Sequence, residues 1–352
     1  MRRYTEFTLL CLGVITTGWL HAQQAVPQRA AAYADAPNIP FETVPNFLTL
    51  PEGLYLGEGI GVARNSKNHV FVYTRSGESS RLFEFNENGD FIREIGRYLY
   101  GFSQAHAVRV DSEDNIWVVD EGTDMVIKFN PEGRVVMLLG RRPEAVQGLY
   151  ETPRRSDSWP APAVPYRFGR PTDVAWDSEG NIFVADGYFN SRVVKYDKNG
   201  RFIKDIGEER GTQPDQFNTP HSIQVDAQGN VYVADRNNSR IQVYNNDLER
   251  IAIYDNIGRP WALCITGGEH PYLYTSNSNP DNNNSALTAV TGEIYKMELD
   301  GTVIGKFGEP GKQWGKFGTV HAIDCRDENE LLVAEITTWR VQKLILNPEG
   351  TP

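Results

Sequence analysis

One unit is written six times between Ile60 and Leu346, and that repetition constrains the fold more than any other feature of the sequence. Each copy runs as a short apolar strand, a D-x-x-G/D-N turn and a strand ending in V-x-D. A variable loop, a strand ending K/Q-x-Y/F, a Gly turn and a last short strand follow. The copies span Ile60–Gly96, His106–Gly140, Thr172–Gly207, His221–Gly258, Trp261–Gly308 and His321–Leu346. Strands of about five residues with turns of Asp, Asn and Gly carry no helical periodicity. A period of roughly 45 residues with four strands per unit is that of a propeller blade, which buries its faces only against its neighbours. The expectation is an all-β, six-bladed propeller forming one domain over residues 43–352.

The sixth copy stops after its third strand. A fourth must come from elsewhere, and the strand-like segment Val44–Leu50 ahead of the first copy is expected to supply it, closing the ring and hiding two open edges. Residues 23–42, rich in Ala, Gln and Pro, are expected to be a disordered lead-in. Residues 1–22 have the form of a signal peptide: Arg2 and Arg3, an apolar run from Phe7 to Leu20, and a small-residue site at Leu20-His21-Ala22. That run is short for a span of about 20 apolar residues, so a periplasmic or secreted protein is expected, with no membrane partner.

The formal charge is −11 and no run of Lys or Arg occurs, which argues against nucleic acid, whose phosphates call for a basic patch. Cys264 and Cys325 remain once Cys11 leaves with the signal. An oxidising compartment permits their pairing, but sequence gives no distance between them, and two buried free thiols are the favoured expectation. A monomer is expected.

The repeat register aligns three histidines. His106, His221 and His321 each stand two residues before the central apolar residue of the innermost strand (Val108, Ile223, Ile323). The other copies hold Ile60, Thr172 and Trp261 there. The histidines therefore fall in alternate blades, one third of a turn apart, which points three imidazoles at one atom. Three neutral imidazoles with an open fourth position suit a catalytic zinc ion, whereas structural zinc sites are closed by four ligands. The competing expectation is a polar plug of hydrogen-bonded imidazoles.

A second register lies beside the first. The residues after the V-x-D element, Arg75, Glu121, Gly187, Arg236, Asn277 and Ile336, sit at the mouth near the histidines, and Tyr188 follows Gly187. Guanidinium groups at Arg75 and Arg236 suit a carboxylate. The long insertion 141–170 and the Asn-rich stretch 277–284 belong to the same face, where loops on a rigid scaffold carry recognition.

With these strings in view, RPTDVAWDSEGNIFVADGYFNSRVVKY, QFNTPHSIQVDAQGNVYVADRNNSRIQVY, AHAVRVDSEDNIWVVD and GTVHAIDCRDEN, the chain resembles the peptidyl-α-hydroxyglycine α-amidating lyases, built on NHL-type repeats, over roughly residues 55–346. The resemblance implies a zinc lyase that splits a peptide or N-acyl compound ending in α-hydroxyglycine into an amide and glyoxylate. It implies zinc on His106, His221 and His321, Tyr188 as catalytic base, and Arg75 and Arg236 as catalytic-site arginines. In that family the last histidine is followed by an Asp that binds a structural calcium ion. Here Ala322 follows, with Asp324 two residues on, so calcium lacks that ligand. A family cysteine after the D-G-Y string is Phe189. The copper monooxygenase joined to the lyase in animals has no counterpart in this sequence. Two other classes compete: a non-catalytic NHL propeller binding a peptide or polysaccharide, and a calcium-dependent lactone hydrolase, whose oxygen-loving ion the histidine ring disfavours.

Overall fold

A computed structural model describes residues 36–77, 79–141, 165–207, 209–255, 257–278 and 292–347. The proposed signal peptide, most of the 141–170 insertion and most of the 277–284 stretch lie outside them. Among the described residues no helix is long and apolar enough to cross a membrane.

The six repeats form six four-stranded antiparallel sheets. Blade 1 comprises β2 (Glu58–Arg64), β3 (Val70–Arg75), β4 (Ser80–Phe85) and β5 (Phe91–Ile95). Blade 2 comprises β6 (Ala105–Val110), β7 (Ile116–Asp120), β8 (Met125–Phe129) and β9 (Val135–Gly140). In blade 3 the order is β10 (Asp173–Trp176), β11 (Ile182–Asp186), β12 (Arg192–Tyr196) and β13 (Phe202–Ile206). Blade 4 follows with β14 (Pro220–Val225), β15 (Val231–Asp235), β16 (Arg240–Tyr244) and β17 (Arg250–Asp255). Blade 5 holds β18 (Pro260–Ile265), β19 (Tyr272–Asn277), β20 (Glu293–Glu298) and β21 (Val303–Phe307). Blade 6 is β22 (Val320–Asp327), β23 (Glu330–Glu335) and β24 (Arg340–Leu346), completed by β1 (Phe41–Val44) on the outside.

The ring thus closes with an N-terminal strand, but not the expected one. β1 pairs Phe41 with Leu346 and Val44 with Lys343, beginning two residues inside the expected lead-in. Pro45 ends it, since proline has no N–H for the ladder. Phe47, Leu48 and Leu50 pack instead against the core between blades 6 and 1. Phe41 seats on Phe307 and Phe317, at ring-centroid distances of 5.4 and 6.3 Å.

The core lies between blades. Apolar residues of two neighbouring sheets interdigitate in each cluster, as where Trp117 of blade 2 stacks on Trp176 of blade 3 at 5.6 Å. Inner strands β18 and β22 are joined covalently by a Cys264–Cys325 disulfide. The expected free thiols are corrected accordingly: the two cysteines occupy facing positions on adjacent inner strands, with Cα atoms 5.9 Å apart, inside the usual bridging range.

Candidate metal centre

The site is assembled by three features of the repeat. First, the inner strands carry β-bulges where the histidines stand. Register shifts occur between Ala105 and Ala107, Pro220 and Ile223, and Val320 and Ala322. Blades 1 and 5 bulge at Ile60 and Trp261 likewise. A bulge leaves its extra residue out of the ladder and re-aims that side chain, here toward the axis.

Second, the acidic residue of the V-x-D element pins the loop that delivers each histidine. Asp120 accepts from the Gln104 N–H at 2.9 Å, Asp235 from Asn218 N–H at 2.7 Å, and Glu335 from Gly318 N–H at 2.8 Å. In blades 4 and 6 an arginine at the start of the third strand holds the acid in turn, Arg240 donating to Asp235 at 2.8 Å and Arg340 to Glu335 at 2.7 Å, whereas Asp120 is held by Tyr73 and Thr123.

Third, each imidazole is anchored to the next blade. His106 Nδ1–H donates to the Thr172 carbonyl at 2.5 Å, His221 Nδ1–H to Trp261 O at 2.8 Å, and His321 Nδ1–H to Ile60 O at 2.7 Å. A carbonyl partner requires the proton on Nδ1, so all three Nε2 lone pairs remain for the axis. The rings form a nearly equilateral triangle with centroids 4.7, 4.8 and 4.8 Å apart, and their ligand atoms lie within 4.8 Å of one another. All three are buried. Burial pushes the His106 and His221 imidazoles well below the ordinary histidine range. His106 is lowered further by His321 and Arg75, and His221 further by Arg236. His321 is held at about 3, by burial first and then Arg75. They are therefore neutral, as metal ligands must be.

The polar-plug alternative requires the imidazoles to bond one another. His221 Nε2 is instead buried with no hydrogen-bond partner, an orphaned lone pair in a chamber of about 10 Å³, room for roughly one small ion or water. An imidazole set with Nδ1 anchored and Nε2 left as an acceptor fits zinc. Calcium does not fit beside it. Ala322 offers no side-chain carboxylate, and the Asp324 carboxylate already accepts from Arg64 N–H at 2.9 Å and Arg64 Nε at 2.6 Å.

The remaining expected site residues gather at the same mouth. Tyr188 O–H donates to His106 Nε2 at 3.3 Å. Gly187 sets its backbone, because a Cβ there would overlap the Pro220 carbonyl oxygen. The surroundings do not lower the Tyr188 pKa as a catalytic base would need. Burial and Glu121 push the phenol up, while Arg236 and Arg75 pull it back. The two arginines differ. Arg75 is engaged by the Ala105 carbonyl and Glu121 at 2.9 Å each, with Glu58 at 3.6 Å. Arg236, from a 3-10 turn after β15, lies over Trp261 at 4.3 Å and Tyr188 at 5.5 Å, with no carboxylate in ion-pair reach among the described residues.

The sequence reading missed two more arginines. Arg170 sits 4.8 Å over the Tyr188 ring and pairs with Glu121 at 3.1 Å. Burial first, and then Arg236 beside it, lowers the Arg259 pKa. The signal was present as the string G-R-P before the inner strands of blades 3 and 5, at 169–171 and 258–260. Both strings stand in blades that lack the histidine.

The fold is thus a six-bladed propeller whose channel mouth gathers three neutral imidazoles that could hold a metal ion, a phenol and, among the described residues, a guanidinium with no carboxylate in reach. The NHL repeat model matches residues 217–244. A probable peptidyl-alpha-hydroxyglycine alpha-amidating lyase of Caenorhabditis elegans is 28% identical over 275 residues, 69% of this chain and 73% of that protein. The peptidylglycine alpha-amidating monooxygenase of Rattus norvegicus is 31% identical over 266 residues, 65% of this chain but only 25% of that protein. The resemblance read from the sequence is thus borne out by relatives that carry the lyase name. Virginiamycin B lyase from Staphylococcus aureus shares the fold, with a TM-score of 0.55 at 14% identity, covering 87% of this chain and all (100%) of that one.

Proposed function

We propose that this protein is a zinc-dependent carbon–nitrogen lyase acting on peptides or N-acyl compounds that end in α-hydroxyglycine, releasing an amide and glyoxylate. The observation that carries it is the neutral Nε2 triangle, bare at His221 and met by the Tyr188 hydroxyl at His106, beside an arginine with no carboxylate in reach among the described residues. A zinc ion on His106, His221 and His321 would supply Lewis acidity to a substrate oxygen.

The chain's own groups account for the rest. Arg236 is free to take the substrate carboxylate, and Arg75, tied to Glu121, adds positive potential at the same mouth. Tyr188 Oη is placed to take the carbinol proton as its phenolate, a form that Arg236 and Arg75 favour against the burial and Glu121 that raise its pKa. As the C–N bond breaks, the carbinol carbon becomes the aldehyde of glyoxylate, and the proton passes to the leaving amide nitrogen. No water is consumed. Trp261, between His221 and Arg236, walls the pocket.

The signal-peptide pattern and the disulfide both support an exported protein, periplasmic or secreted. The acidic charge supports a small-molecule or peptide substrate over nucleic acid. The test is elemental analysis of the purified mature protein beside His221→Ala, followed by a glyoxylate-release assay on an N-acyl-α-hydroxyglycine. Near-stoichiometric zinc lost in the variant, with glyoxylate formed by wild type, is the expected result. Absence of bound metal after incubation with zinc sinks the lyase and leaves a peptide- or polysaccharide-binding propeller.

A further inference from the structure

Below the histidine chamber lies a half-buried guanidinium that the proposed chemistry does not use. Arg109, on β6, donates from Nε and Nη2 to the two oxygens of Asp173 on β10, at 3.0 and 2.5 Å. Nη2 also reaches Ser222 Oγ on β14 at 3.2 Å and the Leu263 carbonyl on β18 at 3.4 Å. The network closes on itself. Ser222 Oγ–H donates to Asp173 at 2.7 Å, and Leu263 N–H donates to Ser222 Oγ at 3.1 Å. One side chain thus touches or bridges the inner strands of blades 2, 3, 4 and 5. Arg109, Asp173, Ser222 and Ala322 line the same chamber as the three histidines. Arg109 also lines the cavity of about 310 Å³ on the other side, so it forms the floor between the two. Blades 6 and 1 are tied by the Arg64–Asp324 pair.

We infer that Arg109 is the built-in cation of this ring, a positioning residue whose forked bonds hold the inner strands at the spacing the histidines need, so that the centre forms with one metal ion and without calcium. A guanidinium suits the place because it delivers a positive charge and several fixed donors at once, where a calcium ion would want a free carboxylate that neither Ala322 nor the Arg64-bound Asp324 gives. The three histidines span blades 2, 4 and 6, and Arg109 reaches the first two of those blades as well as blades 3 and 5 between and beside them. Loosening it should let the Nε2 triangle spread.

The single-ion half of this inference rests on the proposed zinc site, and the experiment separates the two. Wild type is stripped of metal and melted alone, with calcium, and with zinc. Arg109→Met is compared with Arg81→Met, which removes a bidentate pair to Glu94 between outer strands of blade 1. Calcium should leave the wild-type melting temperature in place, and zinc should raise it by several degrees, on the order of 4 °C at a hundredfold excess over Kd. Both variants should melt lower. Only Arg109→Met should also bind zinc about tenfold more weakly in competition with a chromogenic chelator, with Arg109→Lys recovering part of the loss. A calcium-dependent rise in melting temperature, or one calcium per chain by elemental analysis, overturns the inference even if zinc binds. Unchanged zinc affinity in a folded Arg109→Met overturns it too. If wild type binds no zinc at all, the metal assignment of the histidines falls and takes the single-ion half with it. Should Arg109→Met fail to fold, the wild-type calcium titration still decides.

Discussion

Breaking the Cys264–Cys325 bond is expected to cost the protein about 4 kcal/mol. The bridge closes a loop with a sequence separation of 61 residues. In the chain-entropy description such a closure removes about 14 cal/mol/K from the unfolded chain, or about 4 kcal/mol at 25 °C. A domain of roughly 300 ordered residues unfolds with an entropy of about 0.6 kcal/mol/K. The Cys264→Ala, Cys325→Ala double variant should therefore melt about 6–7 °C lower than the oxidised wild type. Other ties between blades 5 and 6 survive the change, because Ser276 and Ser278 both donate to the Val320 carbonyl, at 3.1 and 3.3 Å. The ring should therefore stay closed. Metal stoichiometry should be kept as well, since His321 remains anchored to Ile60 O at 2.7 Å. The measurement is a circular-dichroism melt of both proteins at one pH, with zinc content beside it. A fall below about 2 °C would refute the reasoning, because loop closure would then contribute little to holding blades 5 and 6 together.

Tyr188→Phe should keep full zinc occupancy and lose about 10²- to 10⁴-fold in kcat for glyoxylate release, the range for a group that moves a proton. Arg236→Ala should weaken inhibition by glyoxylate by about 10- to 100-fold with little change in melting temperature, as expected for one charged hydrogen-bond partner. Arg75→Ala should do the reverse, because it leaves buried Glu121 with Arg170 alone, and paired inhibition and melting measurements separate the two roles. Burial pushes the Asp124 carboxyl up to about 7, so the folded state prefers the proton and stability should fall as pH rises from about 4 toward 7, then level off. Asp124→Asn should abolish that slope and melt higher than wild type at pH 8, where an unchanged difference between pH 5 and pH 8 would count against it.

The repeat made the fold legible because its period and turn residues are local. D-x-x-G-N turns and V-x-D strand ends read directly as blades, and register alone brought His106, His221, His321, Tyr188 and Arg236 to one mouth. What stayed hidden depends on neighbours from other blades. The cysteines stand 61 residues apart, and only the ring makes β18 and β22 adjacent. The closing strand was placed too late because Val44–Leu50 is the more apolar segment. Pro45 stops the ladder there, and Phe41 finds Phe307 and Phe317. Arg109 looked like any basic residue in AHAVRV, since its partners come from three other inner strands.

The alternation of blades explains why a sixfold scaffold yields a threefold centre. Six imidazoles on one ring would crowd the axis, whereas three leave each a neighbouring blade whose carbonyl can hold Nδ1. Thr172, Trp261 and Ile60 supply those carbonyls from the very positions where the intervening blades lack histidine. The odd blades are therefore part of the centre through their backbone, and blades 3 and 5 add Arg170 and Arg259 at its rim from the repeated G-R-P string. Even blades present the candidate ligands, and odd blades fix their tautomer. A substitution that disturbs a bulge in an odd blade, such as at Trp261, should thus weaken the metal site through His221 without touching a ligand atom.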